Sequence, residues 1–366
     1  MPFLNKTLRR QLATAIQEAR LVAEEGAADA VRRLGVMDEV APAYLREEDR
    51  ELRRKLRAHA RSLGDNWDGK VLTSVARLVE TTAFEHWHRM LFGRFLVERG
   101  LLVHPELGVA IAREELGELA AEEGLPDEWA LVERIAAPAL PAVFKPEDPV
   151  LAMTVAPEFS KQLRDIVVSL PTEVFTADDS LGWTYQFWRA AEKDAVNKSG
   201  VKIGSHELPA VTQLFTESYM VQFLLHNTLG AWWAGKVLAA DPTLASDAED
   251  EDTLRAACSL PGVTWDYLRF VREGEAQDGP WRPAAGTFAG WPTRAAEITF
   301  CDPCCGSGHF LTEGFAILVA LRQREEGLPP ADAVQAVLRD NLHGLELDGR
   351  CVQIAAFSVA AAWPMS

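Results

Sequence analysis

The chain has 366 residues, 48% hydrophobic and 25% charged, a balance that excludes a disordered or fibrous polypeptide and allows two domains, each with its own core. With 54 acidic against 37 basic residues the formal charge is −17, so most of the surface repels phosphate and any nucleic-acid contact has to be local. No run approaches the ~20 apolar residues of a membrane span, and the five cysteines, with Cys301, Cys304 and Cys305 crowded together, point to reduced thiols in a cytoplasmic protein with no membrane partner rather than to a secreted disulfide framework.

Met1 to Gly26 mixes basic, acidic and apolar residues without an uninterrupted apolar run, which predicts an amphipathic helix and not a signal peptide. Helical spacing continues to about Ala137, with Phe84, Trp87, Leu91 and Phe95 defining one buried face. Arg53, Arg54, Lys55, Arg57 and Arg61 are interleaved with Glu47, Glu48, Asp49 and Glu51, a mixture that reads as a solvated helix face rather than a DNA-contacting stripe. His86 and His88 diverge by ~200° on a helix, so they are expected to pack and not to chelate. Pro138 to Asp178 is proline-rich and reads as a connecting region with short helices. A second helical block follows from Leu181, in which Trp183, Tyr185 and Trp188 are expected in a core, and Asn197 to Gly200 reads as a loop.

A helix with a threonine cap is predicted over Thr216 to Lys236, and residues 240–296, acidic and then rich in Pro, Gly and Trp, read as an insertion with one helix near Trp265 to Glu273. Ile298 to Cys301 is a β-prone run entering the glycine turn Asp302 to Gly308. An apolar helix from Phe310 to Leu321, a break at Gly327-Leu328-Pro329-Pro330, a helix over Ala331 to Asp340, a strand over Leu342 to Leu347 and a last helix from Cys351 complete a βαβ unit with an extra helix. The expected fold is α/β with a large all-α N-terminal domain (residues 1–205), followed by a Rossmann-like domain (206–366) that is expected to be cut short after its first strands.

A strand that runs into Gly306-x-Gly308 and a helix lets backbone approach a ligand, with amide donors and the helix N-terminus facing its charged part. Two features speak against a dinucleotide fingerprint. Leu311 stands where the third glycine belongs, and Glu346, the acid after the next strand, lies far beyond the ~20 positions of that pattern. S-adenosylmethionine fits better: Asp302 can take loop amides or the methionine ammonium, and Glu346 both ribose hydroxyls. The competing readings are a plain tight turn with Asp302 as a helix cap, and a zinc site of Cys301, Cys304, Cys305 and His309, whose spacing matches no common finger.

Asp302-Pro303-Cys304-Cys305-Gly306-Ser307-Gly308-His309-Phe310-Leu311 resembles motif I, D-P-x-C-G-S-G-H-F-L, of DNA adenine-N6 methyltransferases, with Cys304 where threonine is more usual. Leu208-Pro209-Ala210-Val211-Thr212-Gln213-Leu214-Phe215-Thr216-Glu217, then Met220-Val221 and Asn227-Thr228-Leu229-Gly230, is similar to motif X of the PglX-type methyltransferases of BREX and of the related DISARM enzymes. Leu181 to Trp188, Phe84 to Leu102 and Leu52 to Asp65 look like the helical N-terminal domain of that phage-defence group. The resemblance implies a class I methyltransferase fold and S-adenosyl-L-methionine held by Phe215, Thr216, Asp302, Pro303, Gly306, Gly308, Phe310 and Glu346, with Thr216 near the methionine carboxylate and Phe310 beside the cofactor. It also implies double-stranded DNA and other phage-defence proteins as partners.

The departure from the family concerns the acceptor. Adenine-N6 transfer needs a flipped base whose amino group is held by an N-P-P-Y or N-P-P-F segment; here the only Pro-Pro, Pro329-Pro330, lies between Leu328 and Ala331. No catalytic residue is therefore assigned. The expectation is a truncated or split adenine-specific enzyme whose missing half comes from a second chain, with a non-catalytic scaffold as the alternative. An RNA or protein methyltransferase shares motif I but not the extended match.

Overall fold

The structure, a computed structural model, describes residues 3–200, 202, 204, 215–274, 278–286 and 288–362. The chain divides into two compact units, Met1–Ile203 and Gly204–Ser366, each with its own internal packing. No helix among the described residues is long and apolar enough to cross a membrane.

The first unit is helical: α1 (Lys6–Arg33), α2 (Glu47–Ser62), α3 (Ala76–Glu98), α4 (Leu116–Glu122), α5 (Glu128–Ala136), α6 (Pro141–Phe144), α7 (Pro157–Ser169), α8 (Thr172–Thr176), α9 (Ser180–Trp188) and α10 (Ala190–Ser199). The Asn5 side chain accepts the Thr7 and Leu8 amides, both at 2.9 Å, and so starts α1. Phe84, Trp87, Leu91 and Phe95 are fully buried, as their spacing predicts, yet α3 buries more than one face. It is packed by α1, α2, α5, α7 and α8 together, so polar residues are enclosed and must find partners. Glu85 takes Lys145 Nζ at 2.6 Å, His86 Nε2 meets the Val150 carbonyl at 3.0 Å, and His88 stacks on Phe84 with ring centroids 3.6 Å apart. Both histidines pack, and Trp183, Tyr185 and Trp188 lie in the core.

Two readings of this unit are corrected. Arg53 is buried and donates to the Gly35 carbonyl at 2.8 Å, and Arg57 donates to the Val36 carbonyl at 2.6 Å, so part of the arginine-rich stretch ties down the α1–α2 connection instead of facing solvent. Helix α10 runs through Asn197 to Ser199 and stops only at Gly200, whose φ of 65° is a left-handed cap.

In the second unit, α11 (Ser218–Leu225) passes through a π turn (His226–Gly230) into α12 (Ala231–Ala240), followed by α13 (Pro242–Asp247) and α14 (Glu251–Ala257). Thr216 does not cap α11; Glu217 holds that position without a side-chain hydrogen bond. Trp265 to Glu273 forms no helix. Its second half is β1 (Phe270–Arg272), paired antiparallel with β2 (Trp281–Pro283) in the register Phe270↔Pro283, Val271↔Arg282, Arg272↔Trp281. The amides of Arg269 and Phe270 go to Asn227 Oδ1 at 3.2 Å and Glu251 Oε2 at 2.9 Å, so long-range side chains take donors that a helix would need.

Then come β3 (Phe300–Asp302), α15 (His309–Glu326), α16 (Pro330–Asp340), β4 (Leu342–Gly344) and α17 (Gly349–Ala361). β3 and β4 are parallel, Phe300↔Leu342 and Asp302↔Gly344, with α15 and α16 as the crossover, and both are shorter than the apolar runs predict. The core of this unit includes Leu225, Leu229, Trp265, Phe315, Leu318, Leu321 and Val337. Buried Asn341 locks β3 in place: its Nδ2 donates to the Ala295 and Ile298 carbonyls at 2.8 and 2.7 Å, its Oδ1 accepts Arg322 at 3.0 Å, and its carbonyl accepts the Phe300 amide at 2.7 Å.

Candidate functional site

β3 delivers Asp302 to the mouth of the loop that precedes α15. Asp302 Oδ1 accepts the Cys304 amide at 3.1 Å, while Oδ2 accepts no hydrogen bond from the described residues. Gly306 and Gly308 have φ of 52° and 85°, the left-handed region that favours glycine. The two glycines differ in their surroundings. A Cβ on Gly308 would lie 2.9 Å from the Ala355 backbone of α17, whereas one on Gly306 would meet nothing within 4 Å. Gly308 is thus required by close packing, and open space remains beside Gly306.

The end of β4 braces this loop. The Leu345 amide donates to the Asp302 carbonyl at 2.9 Å and the Cys305 amide to the Leu345 carbonyl at 3.0 Å. Glu346 Oε2 accepts the Gly306 amide at 3.0 Å, and Oε1 accepts the Leu347 and Asp348 amides at 2.7 and 3.1 Å. Three of the roughly four acceptor positions of this carboxylate are therefore committed to backbone, fewer being left for a ligand than the sequence suggests.

His309 joins two segments distant in sequence. Its Nδ1 meets the Thr216 carbonyl at 2.8 Å, its ring stacks on Phe215 with centroids 4.7 Å apart and planes 11° from parallel, and its Nε2 lies 3.4 Å from Ser218 Oγ. A carbonyl partner requires the proton on Nδ1. It is the Thr216 backbone that is engaged here. Sequence reasoning singles out His309 only as a zinc ligand; its position inside the Asp302–Leu311 run is the signal that it belongs to the loop. Leu208 to Leu214, the first part of the motif X resemblance, lie outside the described residues.

Asp302, Pro303 and Phe310 border one cavity of about 560 Å³, together with Leu224, Thr228 and Trp291; Thr216, Gly306, Gly308 and Glu346 do not line it. Cys301 and Cys304 are exposed, and burial, reinforced by Asp302 and Glu346, pushes the Cys305 thiol up to about 11. No group of three ligating side chains is assembled among the described residues.

No family model matches the chain. It is 34% identical over 227 residues to adenine-specific methyltransferase PglX of Lacticaseibacillus casei (strain Zhang), covering 60% of this chain and 17% of that protein. It is 33% identical over 197 residues to adenine-specific methyltransferase BrxX of Escherichia coli O9:H4 (strain HS), covering 54% of this chain and 14% of that protein. The chain thus spans a small part of the length of these curated relatives, and over more than half of its own length it is related to the BREX PglX-type adenine-specific methyltransferases.

Proposed function

We propose that these residues carry the S-adenosyl-L-methionine-binding part of an adenine-N6 DNA methyltransferase, built on a Rossmann-like class I unit, with the adenine-accepting groups supplied by residues outside this sequence. The observation that carries the reading is the Asp302–Leu311 loop, set between parallel β3 and α15, braced by Glu346 and joined to Phe215 and Thr216 through His309. The residues present fit the cofactor. Asp302 Oδ2 is open to an ammonium, space remains beside Gly306, and the adjoining cavity of about 560 Å³ offers Phe310 as an apolar wall. When bound, the sulfonium supplies a methyl group to a nucleophilic nitrogen. The chain's own contribution is to orient: Asp302 and the remaining acceptor position of Glu346 fix two ends of the molecule, and Gly306 admits it to the backbone. Double-stranded DNA and other phage-defence proteins are the partners this reading requires, with a second chain as one source of the acceptor half.

The non-catalytic scaffold has one observation in its favour, the commitment of Glu346 to three backbone amides. Calorimetry separates the two. S-adenosylmethionine is expected to bind, and Asp302→Ala to weaken it about tenfold or more, as loss of a charge-assisted hydrogen bond does. Absence of binding, or binding indifferent to both Asp302→Ala and Glu346→Ala, overturns the proposal.

A further inference from the structure

A second cavity, of about 600 Å³, opens at the other end of α15 and is lined by Trp233, Lys236, Arg294, Arg324 and Glu325 among others. α15 has 18 residues, so this cavity lies ~25 Å along the helix from the glycine loop at its start. Its acids are already engaged. Glu325 pairs with Lys236 Nζ and accepts the Ala295 amide at 2.6 Å. Glu326 accepts Arg322 Nη2 at 3.1 Å. Asp241 takes the Thr243 and Leu244 amides that cap α13. Arg294 and Arg324, by contrast, are exposed, and their side chains have no hydrogen-bond or ion-pair partner among the described residues. Trp233 is half-buried, with its ring fixed by an Nε1 hydrogen bond of 2.9 Å to the Cys258 carbonyl.

Two unpaired guanidiniums beside a fixed indole in a cavity of ligand size make a specific chemical request. Guanidinium forks match phosphate oxygens, and an indole offers a stacking face to a flat heterocycle. We propose that this cavity binds a nucleoside phosphate, its phosphate on Arg294 and Arg324 and its base against Trp233. The moiety is either a free nucleotide or one nucleotide unit of a DNA strand, and on a chain of charge −17 it is a local exception to a phosphate-repelling surface. The inference stands independently of the methyl-donor reading, because no residue is shared between the two cavities.

The test is a calorimetric titration of the full chain with adenosine diphosphate, and an anisotropy titration with a labelled DNA duplex. Saturable diphosphate binding is expected, weakened at least tenfold in Arg294→Ala/Arg324→Ala, weakened less in Arg294→Lys/Arg324→Lys, which keeps the charge but not the fork, and unaffected by Asp302→Ala. Since both arginines are exposed and unpaired, the alanine variant should fold as the parent does, which circular dichroism checks. Duplex binding that adenosine diphosphate displaces assigns the site to a nucleotide unit of DNA; diphosphate binding without duplex binding assigns it to a free nucleotide. No diphosphate binding, or binding unchanged in the double alanine variant, overturns the proposal.

Discussion

Gly306 and Gly308 share a left-handed backbone but not a neighbourhood, and alanine at each separates conformation from packing. Gly306→Ala incurs only the left-handed penalty of ~1–2 kcal/mol. Gly308→Ala adds displacement of the Ala355 backbone, a further ~1–3 kcal/mol of overpacking, so thermal unfolding should place it clearly below Gly306→Ala. Asn341→Ala is expected to be severe, at ~3 kcal/mol or more, because it strands two carbonyls and removes a partner of buried Arg322. Acid acts through histidine. Burial drives both His86 and His226 down to about 4, so the folded protein holds them neutral while the unfolded chain takes up protons near 6.5. Their contribution is present above that ordinary value and is lost as pH falls from about 6.5 toward 4, with a limiting slope of ~1.4 kcal/mol per pH unit for each histidine. Chemical denaturation across that range should show a shallower fall in His86→Gln and in His226→Gln; an unchanged slope in both would sink the assignment.

At the scale of elements, the parallel pair β3–β4 is only two strands wide among the described residues. Phe300 and Asp302 bond toward β4, so the backbone of Cys301 points to the other edge. Hydrogen exchange should therefore find the Cys301 amide at least tenfold less protected than the Phe300 amide, and Phe300 less protected than Phe84 in the enclosed helix α3. Comparable protection at all three would mean that the edge is covered. The π turn has a structural use as well. Asn227, which it presents, bonds the Tyr267 carbonyl at 2.8 Å and the Arg269 amide at 3.2 Å, and His226 Nδ1 accepts the Tyr267 amide at 3.2 Å. Together they attach the segment leading into β1 to the α11–α12 helix.

Within the first unit Leu56, Leu78 and Met153 belong to one cluster of buried residues, and within the second Leu229, Phe315 and Leu318 belong to another. Scanning calorimetry of Asn341→Ala should consequently lower one transition and leave the other, whereas a single transition that moves as one would show the units to be coupled. Under the proposed function, labelled methyl transfer to unmethylated phage DNA should be at background with these 366 residues alone and should appear when the acceptor-bearing part of a relative is added. Transfer by the 366 residues alone would reveal an acceptor site that their sequence does not disclose.

Local chemistry is legible in the amino-acid sequence by itself. The helical first half, the strand–glycine turn–helix order at Asp302–Leu311 and the packing of Phe84, Trp87, Leu91 and Phe95 follow from periodicity and from what glycine alone tolerates, and the resemblance to the methyltransferases is carried by several runs spread along the chain, Asp302–Leu311 among them. Only the tertiary structure could decide how polar groups far apart in sequence satisfy one another. Asn227 and Glu251 claim the amides of Arg269 and Phe270 and turn an expected helix into β1; Glu346 closes on Gly306; His309 closes on Thr216; Arg53 serves the carbonyls of the α1–α2 connection. Periodicity records which face a segment buries, but a buried donor or acceptor is satisfied by whatever the fold brings within about 3 Å, and that partner carries no signature at its own position in the chain.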